Sequence, residues 1–198
     1  MSLSSDEAAV VRTVVKEGAE ASAKRLAEIT YEEWTVDAVD SGDREEAFAD
    51  LLAHVTADTY GSHLSFPGGS FLLLYSGKSA YLIATAFTRD FQDRVESLPK
   101  RDALALSEVS NILLNPMMGR LAKAAGAALI ISAPKTGIAS KRDHFARAVA
   151  RYKDAGSFPV VVKVKLASSR LNSSCLMLLF LDPAAASAFA GGPKTPPA

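Results

Sequence analysis

Residues 101–126 read RDALALSEVSNILLNPMMGRLAKAAG, and this stretch organises the reading of the whole chain. Stepping about 100° per residue places Ala105, Leu106, Val109, Ile112 and Leu113 on one broad arc, the pattern of a helix packed on a core. The helix is expected over 101–125, with Gly126 ending it as a left-handed cap. Glu108, Asn111 and Asn115 fall together away from that arc, at i, i+3 and i+7, so their side chains can reach one object. Leu104 lies on the same face, one turn before Glu108. A carboxylate can ion-pair with an ammonium, and a carboxamide can donate to and accept from the same water. An ordinary solvated helix face shows the same spacing, so spacing alone leaves both readings open. Pro116 has no N–H for the carbonyl of residue 112, which predicts a kink there.

Working outward, residues 6–29 carry apolar positions at helical spacing (Val11, Val15, Ala19, Ala23, Leu26), with Ser4 or Ser5 as N-cap and Asp6 and Glu7 in the first turn. Residues 34–39 alternate as a half-buried strand and 40–43 read as a turn. Residues 45–55 fit either a short helix or an irregular strand entry. Two apolar runs, 71–75 and 80–85, flank Ser76-Gly77-Lys78-Ser79, which predicts a hairpin. Pro67-Gly68-Gly69 reads as a turn. After the long helix, a strand is expected at 127–132, an amphipathic basic segment at 144–152 with Phe145, Val149 and Tyr152 inward, and a hairpin from 158–166 and 175–181. Val161, Lys163 and Lys165 give the first strand of that hairpin a wet face. The elements of the two halves resemble each other, which suggests a duplicated unit. The domain is expected to span 1–190, and 191–198 (GGPKTPPA) is a Pro/Gly-rich tail expected to be disordered.

The chain has 198 residues, 48% apolar and 22% charged, a globular composition of one-domain length. Its longest apolar runs, 124–133 and 175–181, are far too short for a membrane span, and the N-terminus lacks a basic, apolar signal. The single cysteine, Cys175, excludes an internal disulfide and is expected as a buried thiol. These features point to the cytoplasm. The formal charge is zero but uneven: residues 1–60 hold 14 acids and 5 bases, and 61–198 hold 8 acids and 17 bases. That imbalance argues against a uniformly nucleic-acid-binding surface. It fits either attraction between the two parts or a polarised face that orients a protein partner. No nucleophile elbow, phosphate-binding Walker loop or dinucleotide fingerprint is present. His54, His63 and His144 are scattered in sequence without metal-ligand spacing, so no metal is expected on this chain.

The segment 106–113, continued to Pro134, resembles the CheC/CheX/FliY family of chemotaxis phosphatases. The family motif is Asp or Ser, three residues, Glu, two residues, Asn, 22 residues, then Pro. Glu108, Asn111 and Pro134 match in register, and Leu104 stands where Asp or Ser is expected. On the first helix, Glu17 matches a second copy of the motif, but Glu20 replaces its Asn and Asp43 its Pro. A carboxylate cannot donate as the amide does and repels phosphate, so this copy reads as inactive.

The resemblance covers most of 8–182. It implies an α+β fold of pseudo-duplicated helix and β-hairpin halves, sharing an antiparallel sheet with two long helices on one side. It also implies hydrolysis of the aspartyl phosphate on a CheY-like response-regulator receiver. Asn111 would orient the attacking water and Glu108 would ion-pair with the receiver's Lys, while Leu104 and Asn115 would touch the partner. The Mg²⁺ would be the receiver's own, with no cofactor on this chain. Lys100, Arg101, Arg120 and Lys123 would suit an acidic receiver surface. The alternative is a non-catalytic module of the same fold that binds a receiver or a flagellar-switch partner. Self-association or a CheD-like partner stays open, and neither nucleic acid nor membrane is expected as a partner.

Overall fold

The computed structural model describes residues 4–43, 45–49, 59–89, 101–154 and 157–191. Helix α1 spans Ser5–Thr30. It starts with a capping box: the Ser4 hydroxyl accepts from the Glu7 amide (3.2 Å), and the Ser4 amide donates to Glu7 Oε2 (2.9 Å). Strand β1 follows at Thr35–Gly42, then a 3-10 turn at Glu45–Phe48. Strands β2 (Thr59–Phe66) and β3 (Gly69–Ser76) form a hairpin. Pro67 and Gly68 make its turn, and Gly68 has φ +85° as the third position of a type II turn requires. Helix α2 (Gly77–Thr88) and the long helix α3 (Arg101–Ala125) complete the first half and open the second. Next come β4 (Lys135–Ala139), α4 (Lys141–Asp154), β5 (Val160–Ser168), β6 (Ser173–Leu181) and α5 (Pro183–Ala190).

Several expectations need correction. The segment 76–79 is not a hairpin turn and 80–85 is not a strand. Ser76 instead caps α2, its hydroxyl accepting from the Ser79 amide at 3.2 Å, and Ala80, Ile83, Ala84 and Thr88 are buried at helical spacing. A short apolar run satisfies both periods, and packing selected the helix. Residues 127–132 are not a strand either. Leu129 and Ile131 pack against the core, while backbone contact to β2 is confined to Ser132 and Ser65 (Ser132 N to Ser65 O, 2.8 Å). The strand comes later, as β4, whose short and polar sequence suits a sheet edge.

Residues 40–42 continue β1 rather than turning: Asp40, Ser41 and Gly42 pair with Lys163, Val162 and Val161. The acids of β1 meet the lysines of β5 here, Asp37 with Lys165 at 2.6 Å and Asp40 with Lys163 at 3.4 Å. Only 45–49 of the uncertain 45–55 stretch is described, and it begins as a 3-10 turn. His54 and residues 192–198 of the expected tail lie outside the described residues. Helix α5, which the sequence reading did not anticipate, begins with Pro183 at its first turn.

The six described strands form one antiparallel sheet in the order β1-β5-β6-β3-β2-β4. Exchanging β1 with β4, β2 with β5 and β3 with β6 turns that order into its own reverse. The duplication suspected from the sequence is therefore a pseudo-two-fold, with β3 and β6 paired at its centre (Leu72 opposite Leu178). Helices α1 and α3 are equivalent under it and pack against each other, Gly18 lying against Met117. The Ser22 hydroxyl reaches the Leu113 carbonyl of α3 at 2.6 Å.

The two long helices, with α2 and α5, cover one face of the sheet over the main core. On the other face α4 seats Phe145, Val149 and Tyr152 on Leu72, Leu74, Val161, Leu178 and Phe180. That explains why β3 and β6 are apolar on both faces. It also corrects the reading of β5: Val161 is covered by α4, and only the Lys163–Lys165 end of that face meets water. Cys175 is fully buried in β6, and burial pushes its thiol up to about 12. Among the described residues, no helix is long and apolar enough to cross a membrane.

Candidate functional site

What α3 presents outward is fixed by what holds it inward. Ala105, Leu106, Val109, Ser110, Leu113, Leu114 and Met117 are buried. The Ser110 hydroxyl hydrogen-bonds the Tyr75 hydroxyl at 3.0 Å inside the core. Arg101 donates to Thr85 Oγ1 of α2 at 3.0 Å. The first tie joins α3 to β3 and the second joins it to α2, and together they hold the helix with its Glu108–Asn111 face outward. At the far end Arg120 pairs with Glu17 of α1 at 3.4 Å.

The face left over carries Leu104, Glu108, Asn111 and Asn115. Leu104 is 56% exposed, Glu108 and Asn115 are exposed, and Asn111 is half-buried. No hydrogen bond or ion pair engages Glu108, Asn111 or Asn115 among the described residues, so the carboxylate and the carboxamide keep their donor and acceptor capacity for a visitor. Ile112, expected in the core arc, is only partly buried, and Leu114 and Ser110 lie deeper. Helix α3 runs on through Pro116. Pro134 is partly buried immediately before β4.

The residues of the second motif copy sit differently. Glu17 is engaged by Arg120, and Glu20 is exposed on α1. Of the bases expected to face a partner, Arg101 is turned into the α2–α3 contact and Arg120 is paired, leaving Lys123 exposed; Lys100 lies outside the described residues. The uneven charge of the chain has a structural counterpart. Asp37, Asp40, Glu17 and Glu32 all pair with bases of the later part, Glu32 with Arg170 at 3.3 Å.

The fold also brings together two histidines that stood 81 residues apart. His63 Nε2 and His144 Nδ1 are 3.1 Å apart, and His144 Nε2 lies 3.1 Å from the Thr59 carbonyl. Burial, then the neighbouring His144 and Arg147, holds His63 down at about 4; burial likewise lowers His144. The pair borders an open cavity of about 320 Å³. Neither histidine carries a local sequence signal for this, since the contact needs β2 and α4 on the same face of the sheet. Among the described residues, no cluster of three or more His, Cys, Asp or Glu side chains is arranged to hold a metal ion.

No family model and no curated protein matches the chain. Solved structures do. FliY from Thermotoga maritima aligns over 96% of this chain and 97% of its own, with a TM-score of 0.69 at 17% identity. FliM from H. pylori, solved as a FliG–FliM complex, aligns over 96% and 100%, with a TM-score of 0.64 at 12% identity. The CheX–CheY–BeF3–Mg²⁺ complex from Borrelia burgdorferi aligns over 84% and 96%, with a TM-score of 0.54 at 13% identity. The chain therefore has the α+β fold shared by CheX, FliY and the FliM middle domain.

Proposed function

We propose that this protein hydrolyses the aspartyl phosphate of a CheY-like receiver domain, using the outer face of α3. The observation that carries the proposal is the unengaged Glu108–Asn111 pair, one turn apart on a helix whose rotation is fixed by Tyr75–Ser110 and Arg101–Thr85. Two features support the reading: the motif register from Glu108 through Asn111 to Pro134, and the fold shared with a CheX solved in complex with CheY.

Asn111 is the group that orients water. Its amide N–H donates to the water oxygen or to a phosphoryl oxygen, and its carbonyl accepts a water proton, so one side chain sets the line of attack. Glu108 ion-pairs with the receiver's Lys and fixes the register of docking. The receiver brings its own Mg²⁺ and Lys for the charge of the phosphoryl group, so this chain contributes geometry. Leu104 adds an apolar contact one turn before Glu108, and Asn115 a polar one beyond Asn111.

The test is phosphate release from a panel of phosphorylated receivers. Wild type accelerates release from its cognate receiver, and Asn111→Ala removes the acceleration while receiver binding persists. Equal release with the mutant and the wild type would overturn the catalytic reading. A second reading is favoured by one specific observation: Leu104 replaces the motif's Asp or Ser on this same face. On that reading the protein is a non-catalytic module that docks a receiver or a flagellar-switch protein, and the panel would show binding with no accelerated release.

A further inference from the structure

The cavity between β2, β4 and α4 lies on the sheet face opposite α3 and has no part in the reading above. Gly61 and Gly137 are cross-strand partners, and His63 and Lys135 are the next pair on the same face. The floor is therefore two glycines. A Cβ on Gly61 would strike the His144 ring at 2.4 Å, whereas a Cβ on Gly137 would meet nothing within 4 Å. Arg147 and His144 close the cavity from α4, and Thr136 completes its lining.

The hydrogen-bond network assigns the protons. The Thr59 carbonyl only accepts, so His144 Nε2 carries the hydrogen and His144 Nδ1 is a lone pair. His63 Nε2 must then donate to it, which leaves His63 Nδ1 unprotonated and without a partner among the described residues. The charged groups facing the pair among those residues are Arg147 and Asp143 on α4 and Lys135 on β4. The Asp143 carboxylate accepts from the Ser140 hydroxyl at 2.7 Å, and that hydroxyl in turn accepts from the Asp143 amide at 3.1 Å. Lys135, Arg147 and the two histidines thus line the cavity, and no acid is among its described lining residues.

We propose that this cavity is an oxyanion site that takes a phosphate or phosphomonoester group on Lys135 and Arg147, with one proton held between that group and His63 Nδ1. The proton comes from the P–OH of the ligand or from a protonated His63. Either way the His63–His144 bond survives, because it uses the other ring nitrogen. Phosphate suits the site because it carries a proton near neutrality; sulfate does not. An anion seated here also offsets the burial and the Arg147 charge that depress His63, so the ligand raises the histidine's proton affinity.

The experiment titrates the full-length protein with inorganic phosphate, glycerol 3-phosphate and sulfate, following the His63 and His144 ring resonances by NMR. Phosphate should shift the His63 ring signals and bind better than sulfate at neutrality, and glycerol 3-phosphate, which gains its P–OH only near pH ~6, should bind more tightly as pH falls from about 8 to about 6. Arg147→Gln should weaken binding by about tenfold or more. Gly137→Leu, whose Cβ meets nothing within 4 Å and whose side chain rises from the floor, should abolish it. Tighter binding of glycerol 3-phosphate than of phosphate identifies a phosphomonoester site, and the reverse identifies free phosphate. Unmoved His63 signals, or equal binding by wild type, Arg147→Gln and Gly137→Leu, would overturn the proposal. Asn111→Ala keeps phosphate binding intact, so failure here and failure of the phosphatase reading are told apart.

Discussion

Gly18 sits mid-helix, where glycine costs about 1 kcal/mol against alanine. The structure supplies the reason: a Cβ there would lie 2.5 Å from Met117 Sδ and 3.2 Å from Met117 Cα. The small residue lets α1 and α3 approach closely, which in turn lets the Ser22 hydroxyl reach Leu113 O. Gly18→Leu should therefore destabilise the fold by about 1–3 kcal/mol despite its better helix propensity, measured by urea denaturation. Asn111 is the contrasting residue. It is half-buried and unbonded among the described residues, so its replacement by alanine should remove function and leave stability within about 0.5 kcal/mol. That asymmetry separates a group kept for a partner from one kept for packing. The Glu108–Asn111–Asn115 face was legible because helical spacing is a local property. The depth of Ser110 was not legible, because a buried serine is tolerated only where a partner such as the Tyr75 hydroxyl meets it.

Among the elements, α2 shows how an apolar run can mislead. The sequence from 71 to 85 holds two short apolar stretches around a Gly, which reads as a hairpin. Ser76 decides otherwise by capping the Ser79 amide and letting the second stretch coil. Ser76→Ala should cost about 1 kcal/mol by thermal or chemical unfolding. A hairpin turn at the same place would lose much less from that change. The converse case is β4, where Thr136 and Ile138 alternate with Lys135, Gly137 and Ala139, residue types depleted in strands. It exists because β2 offers an open edge, with Thr59–His63 paired to Lys135–Ala139. Helix α4 was correctly read as amphipathic, yet only the structure shows which face of the sheet it covers.

At the scale of the whole molecule, the pseudo-two-fold relates α1 to α3 and so sets both long helices on the same face of the sheet. One face carries α1 and α3 and presents the Glu108–Asn111 turn. The other carries α4 and the paired histidines. The histidines also set an acid limit on stability. His63 has an ordinary value of 6.5 and is held at about 4 in the fold, so the unfolded chain takes up its proton first. Its contribution is complete above about pH 6.5 and is lost progressively as pH falls toward 4. The melting temperature should accordingly drop across that window, and His63→Gln should flatten the drop, as followed by circular dichroism.

Some features of this protein depend on neighbours along the chain, and these the sequence determined unaided. They are the long helices, an N-cap at Ser4 or Ser5, the cap at Gly126, the 158–181 hairpin and the outward Glu108–Asn111 face. Helical and strand periods and caps act over a few residues, so they can be read without a fold. What the tertiary structure alone decided is where ambiguous segments went and which distant groups met. It made 77–88 a helix and 135–139 an edge strand, it tied Arg101 to α2 and paired Arg120 with Glu17 at the surface, and it set His63 against His144. Those outcomes depend on which surfaces are buried together, and burial is a property of the assembled sheet, not of any local run of residues.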